Sequence, residues 1–168
     1  NWQKIDKKSW DLCHCYPRAG VLLSFFDFDN KEILGYGFTA GGFVEPFFRT
    51  DKKFNISFRI AAGLSLDTKP YDEHANPENI SYSLPVNQYS QLGLILHYRI
   101  NPKIKVTASS NYNHISNGGL KQPNKGINYP TLGVGLDYTP HPISFKNREK
   151  TDFKGIKKQR YDLSISYF

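Results

Sequence analysis

Between residues 54 and 67 the chain alternates without a break. Phe54, Ile56, Phe58, Ile60, Ala62, Leu64 and Leu66 take the even positions, and Asn55, Ser57, Arg59, Ala61, Gly63, Ser65 and Asp67 the odd ones. Residues two apart share a face of a β-strand, so the segment is a strand with one wholly apolar face and one polar or small face. The pattern recurs at 86–100, where Leu92, Leu94, Leu96, Tyr98 and Ile100 oppose Gln91, Gly93, His97 and Arg99. It recurs again at 129–139 and at 160–168. Residues 33–48 follow it more loosely, and 18–28 are strand-like with an ambiguous face. A further strand runs from about Val106 to Ser116. Almost no segment shows the 3.6-residue period of a helix.

Strands this long exceed the roughly 5–6 residues usual in soluble sheets and match the roughly 9–11 residues of a tilted membrane-spanning strand. The faces opposite the apolar ones carry Arg59, Asp67, His97 and Arg99. A soluble lipocalin-like carrier would turn its apolar face inward, whereas a membrane barrel has a polar lumen and an apolar outer band. Aromatics near strand ends, among them Tyr36, Phe48, Tyr98 and Tyr138, suit interfacial girdles. The expected fold is therefore all-β, an antiparallel transmembrane β-barrel of the outer membrane. It has about eight strands, seven of them clear in the sequence. Residues 1–168 form one domain, which starts at Asn1 as a mature protein or a fragment. The eighth strand would come from residues 2–15 or from chain beyond these residues. Loops are expected at 68–85, 117–128 and 140–158.

Composition narrows the function classes. No stretch approaches the roughly 18 apolar residues of a spanning helix, so a helical membrane protein is excluded. The formal charge of +7 suits an anionic partner such as a phosphorylated lipid, or only solvated loop lysines. No nucleic-acid-binding motif is present. Cys13 and Cys15 flank His14 too closely for an easy disulfide, and too few ligands lie nearby for zinc. No metal or cofactor is expected.

The chemistry concentrates in 113–128. His114 and Ser116 lie two apart on one strand, so a general base stands beside a hydroxyl nucleophile, the minimal pair for acyl transfer. The alternation Val106, Ala108, Ser110, Tyr112, His114, Ser116 against Thr107, Ser109, Asn111, Asn113 points the pair outward, towards lipid. Counting back from Leu132 and Pro130 points Asn128 outward as well. Polar groups on such a face are costly unless they serve a purpose or lie in the headgroup layer.

The run His114-x-Ser116-Asn117, followed by Pro123-Asn124-x-Gly126, resembles the signature of the lipid A 3-O-deacylase (PagL) and acyloxyacyl hydrolase family. Tyr16-Pro17-Arg18, Leu34-Gly35-Tyr36 and Asn76-Pro77-Glu78-Asn79 are similar to Bacteroidetes-type members. The resemblance implies an outer-membrane barrel that removes an ester-linked acyl chain from lipid A, with His114 and Ser116 catalytic. The family's third triad residue is a Glu, and Asn128 stands here. Its amide oxygen can accept from the imidazole, as in Cys-His-Asn sites, but brings no charge. Glu45, expected to point into the lumen, is a weak substitute. Asn117, Gly118 and Asn124 are the candidates for holding the oxyanion, and Lys121 and Lys125 for pairing with lipid A phosphates.

The expected function is a membrane-embedded serine esterase, a lipid A deacylase of the bacterial outer membrane that acts on lipid A or a similar acylated lipid. The alternative is a non-catalytic barrel serving as a structural partner in a larger membrane complex.

Overall fold

In the computed structural model, residues 2–146, 148 and 149 are described. A two-residue strand β1 (Trp2–Gln3) and a short helix α1 (Lys7–Cys13) precede six long strands. These are β2 (Tyr16–Asp27), β3 (Tyr36–Phe48), β4 (Phe54–Asp67), β5 (Val86–Arg99), β6 (Ile104–Ser116) and β7 (Ile127–Tyr138). They form one antiparallel sheet in the order β1 to β7, each strand bonded to its neighbours in sequence. The chain is thus all-β, with seven strands as counted from the sequence, though not the same seven. The strand expected at 160–168 lies outside the described residues.

Residues 2–15 do not supply a full strand, contrary to one of the two expectations. Trp2 and Gln3 pair with Ala19 and Arg18, and the chain then turns into α1. Asp6 caps the helix, its carboxylate accepting from the Ser9 N–H at 2.8 Å and the Ser9 hydroxyl at 3.0 Å. That cap satisfies one of the free N–H groups of the first turn. Two helical turns are too short for their period to register in the sequence. His14 ends the helix in the left-handed region at φ 48°. The reversal brings Cys13 and Cys15 to a Cα–Cα distance of 5.0 Å, and they form a disulfide. Their spacing alone made an easy disulfide unexpected, and the reversal at His14 is what allows it.

The alternation sets the two faces of the sheet as expected. Leu23 is 80% and Val134 90% exposed on the outer side, along with Val21, Ile60, Leu64, Leu92 and Leu132. The inner side is largely polar and buried, including Arg18, Glu45, Asn55, Ser57, Asp67, Asn87, His97 and Asn113. Its buried charges are held by ion pairs or neutral donors, as burial requires; Asp67 accepts from the Ser65 hydroxyl and the Asn87 amide, each at 2.8 Å. The Glu45 carboxylate accepts from Arg18 at 3.0 and 3.1 Å, from Arg59 at 2.8 and 3.0 Å, and from the Ser57 hydroxyl at 2.5 Å. Gly41 and Gly63 are cross-strand partners on this face. A Cβ on Gly41 would sit 2.5 Å from the Ala62 carbonyl oxygen, so no side chain fits there.

The inner faces of β2 and β7 meet. Arg18 donates to Asp137 at 2.8 Å, and the Phe26 and Tyr129 rings pack edge to face at 5.2 Å. No ladder joins the outer edges of β2 and β7 among the described residues, so the described sheet curls round without closing. Beyond β7 the chain packs against the N-terminal segment at one rim: Tyr16 donates to the Lys146 carbonyl at 2.6 Å and the Trp10 indole to that of Glu149 at 3.2 Å. The loops 68–85 and 117–126 lie together at the opposite rim.

Candidate active site

The register of β5, β6 and β7 assembles the site. His114 is flanked by Ser90 on β5 and Asn128 on β7, Ser116 by Gln88, and Tyr112 by Leu92 and Pro130. All of these side chains belong to the outer face. Cross-strand partners hold their Cβ atoms about 4.5–5.5 Å apart, within reach of a direct bond between an imidazole and an amide.

His114 Nδ1 lies 2.7 Å from Asn128 Oδ1, and His114 Nε2 lies 2.9 Å from Ser116 Oγ. An amide oxygen only accepts, so Nδ1 carries the imidazole proton. Nε2 is then free to accept from the Ser116 hydroxyl. The tautomer is the one a general base requires. Tyr112 donates its hydroxyl to the same Asn128 oxygen at 3.2 Å. His114 and Ser116 are half-buried, while Asn128 and Tyr112 are exposed. Along the same face the neighbours revert to Leu92, Leu94 and Leu132, so the polar group is an island at one end of an apolar surface. No carboxylate bonds to His114 among the described residues. Glu45 points inward, as expected, and is committed to Arg18 and Arg59.

The segment after Ser116 is held by its own asparagines. Asn117 is buried; its Nδ2 donates to Ser83 Oγ at 3.1 Å and to the Lys121 carbonyl at 2.7 Å, and its Oδ1 accepts from the Gly119 N–H at 2.9 Å. Asn124 accepts from the Asn117 N–H at 3.0 Å. These two residues, expected near the oxyanion, thus shape the loop, and both Asn117 donor hydrogens are already engaged. The N–H of Gly118 takes part in none of these bonds. Lys121 and Lys125 are exposed on the rim.

Gly126, at φ +72°, leaves room for the imidazole: a Cβ there would lie 3.1 Å from His114 Cε1. Its N–H donates to the Ser81 carbonyl at 2.8 Å, and that of Lys125 to the Ile80 carbonyl at 3.1 Å, which ties this loop to 68–85. The Asn76–Asn79 stretch organises that neighbouring loop. Asn76 Nδ2 donates to the Ile33 carbonyl at 3.0 Å and Asn79 Nδ2 to that of Lys69 at 2.5 Å. Tyr82 donates to the Leu34 carbonyl at 2.6 Å and accepts from the Lys69 N–H at 3.1 Å. Burial pushes its phenol up to about 12, so the hydroxyl keeps its proton through the neutral range. Three rim loops are in this way bonded into one platform beside Ser116.

Sequence reasoning missed Tyr112, Gln88 and Ser90 as members of the polar island. The signal was present: positions 88 and 90 interrupt an outward series that otherwise reads Val86, Leu92, Leu94, Leu96. Only the register shows which interruptions on separate strands lie side by side. Among the described residues no group of three or more His, Cys, Asp or Glu side chains could hold a metal ion.

No curated protein and no solved structure was found to match the chain. A family model does match, that of the lipid A 3-O-deacylase (PagL), over residues 3–137. The match takes in β2 to β6, nearly all of β7 and the whole Ser116–His114–Asn128 group. On that extent, this chain belongs to the lipid A 3-O-deacylase family, a family of ester hydrolases.

Proposed function

We propose that the protein is a serine esterase embedded in the bacterial outer membrane, where it removes an ester-linked acyl chain from lipid A or a similar acylated lipid. The single observation that carries this is the unbroken Ser116–His114–Asn128 bond chain in a polar island on an outward face that is otherwise mostly apolar. A soluble esterase would set such a group in a cleft, and an outward-facing one is reached best by a substrate that lies alongside the wall. The apolar belt then contacts acyl chains, the polar island meets the ester level of the outer leaflet, and Lys121 and Lys125 on the rim stand at headgroup height.

Ser116 Oγ attacks the ester carbonyl while His114 Nε2 takes its proton. The C=O electron pair moves onto oxygen and forms a tetrahedral intermediate. Its collapse breaks the bond to the sugar oxygen, which leaves with the proton held on Nε2. Water, deprotonated by the same nitrogen, then releases the fatty acid and regenerates Ser116. Asn128 keeps Nδ1 protonated and the ring oriented throughout. Within this proposal residues 1–168 act as one barrel domain.

The test is mass spectrometry of lipid A after exposure to the wild-type protein and to Ser116→Ala. Loss of one acyl chain with the wild type alone supports the proposal. Identical acylation patterns would instead favour the non-catalytic barrel, whose supporting observation is the neutral Asn128 in the triad.

A further inference from the structure

We propose that Gln88 supplies an oxyanion-hole donor, acting with the backbone N–H of Gly118; this rests on the esterase function proposed above. Gln88 is the direct cross-strand partner of Ser116. It is exposed on the outer face, and its amide bonds to no other group among the described residues. An amide left without partners on an apolar face is unfavourable unless a ligand completes it. Its place along the strand matters too, since Leu92, Leu94 and Leu96 follow on the same face. The polar interruption occurs only where β5 passes the nucleophile.

The Gln88 amide also lies over the turn that follows Ser116. Its Oε1 is 4.0 Å from the point where a Cβ on Gly118 would stand. Gly118 has no side chain and a positive φ of 66°, so no side chain of this turn stands between it and the Gln88 amide. Of the motif residues nearby, Asn124 engages only its Oδ1, by accepting from the Asn117 N–H, so its amide donor can act beside that of Gln88. Asn117 spends both donor hydrogens on Ser83 and Lys121. His114 faces Ser116 from the next position and must hold the proton, not the oxyanion.

When Ser116 attacks, the carbonyl oxygen gains a full negative charge and needs donors already in position. A rotation of the Gln88 side chain presents Nε2–H to that oxygen. The ground-state ester carbonyl is a weaker acceptor, so the bond strengthens as charge develops and acts on kcat more than on binding.

The experiment uses the full chain in detergent with purified lipid A, and follows fatty-acid release for wild type, Ser116→Ala, Gln88→Leu and Gln88→Glu. Gln88→Leu is expected to lower kcat on the order of 100-fold, the usual cost of losing one such donor, with KM nearly unchanged. Gln88→Glu keeps the shape and adds a carboxylate facing the oxyanion, so it falls at least as far. Labelling of Ser116 by a fluorophosphonate, whose phosphoryl oxygen occupies the same space, slows in parallel. Because Gln88 is exposed and its side chain bonds to none of the described residues, both variants keep the wild-type β-sheet circular dichroism. Full kcat in either variant, or a change confined to KM, overturns the proposal while leaving the esterase function intact. No release by the wild type, or equal release by Ser116→Ala, overturns the esterase function itself and the Gln88 role with it.

Discussion

His114 and Asn128 are direct partners across β6 and β7, and their side chains meet at 2.7 Å. The geometry is that of a triad whose third member is an amide. A carboxylate would orient the imidazole and also offset the positive charge it gains during attack, whereas Asn128 can only orient it. The neutral partner suits an exposed position on an apolar face, where an unpaired charge costs far more than an amide.

That difference is measurable. Asn128→Glu is expected to raise kcat for acyl release several-fold, because the introduced carboxylate stabilises the imidazolium formed in the transition state. Asn128→Ala is expected to lower it on the order of 10- to 100-fold, since the ring then has no partner to set its tautomer. Steady-state release of fatty acid from lipid A checks both, and a faster Asn128→Ala enzyme would sink the triad assignment.

Tyr112 acts only through Asn128, to which it donates at 3.2 Å. Tyr112→Phe is expected to reduce kcat a few-fold with KM unchanged. In an Asn128→Ala background the same change should have no further effect, since coupled residues are non-additive. A double-mutant cycle reads this directly.

Asn117 holds the loop beside Ser116 through Ser83, Lys121 and Gly119. Asn117→Leu removes all three bonds, and the buried Ser83 hydroxyl alone costs about 1–3 kcal/mol when a partner is lost. The expected outcome is a loop exposed to limited proteolysis near residues 118–125 and a large loss of activity, with the barrel spectrum retained. An intact, protease-resistant loop would show that the bonds are dispensable.

Tyr82 ties two other rim loops together from a buried position. Tyr82→Phe removes its bonds to Leu34 and Lys69 and is expected to destabilise the rim by about 1 kcal/mol, typical of a neutral hydrogen bond. Hydrogen exchange at the amides of residues 69–82 should accelerate while that of β4 and β5 does not.

The Cys13–Cys15 bridge spans a sequence separation of 2. So short a loop constrains the unfolded chain little. Cys13→Ser with Cys15→Ser is therefore expected to leave acyl release and thermal unfolding nearly unchanged. Intact mass with and without reductant verifies the bridge in the wild type.

Much of the fold was legible because a strand's two-residue period writes its faces into the sequence. Residues 54–67 and 86–100 could be assigned inside and outside from residue type alone. So could the outward direction of His114, Ser116 and Asn128. The α1 helix was not legible, because two turns carry too little periodicity, and the disulfide depends on the reversal at His14 that follows it. The strand expected at 160–168 lies outside the described residues. At the site, the residues adjacent in sequence were found and those adjacent only in space were missed. Asn117 looked like an oxyanion donor by its place in the motif, yet its partner Ser83 on another loop claims its amide.

By itself the sequence determined that the chain is all-β, which side of most strands faces outward, and that a base and a hydroxyl share one side. Local periodicity and spacing are enough for those, because they depend on backbone geometry within a single strand. Only the tertiary structure decided that Asn128 meets His114, that Tyr112 supports it, and that Gln88 stands opposite Ser116. Those relations depend on the register between strands, which is set by the packing of the lumen and the hydrogen-bond ladder along the whole sheet, and no single strand encodes it.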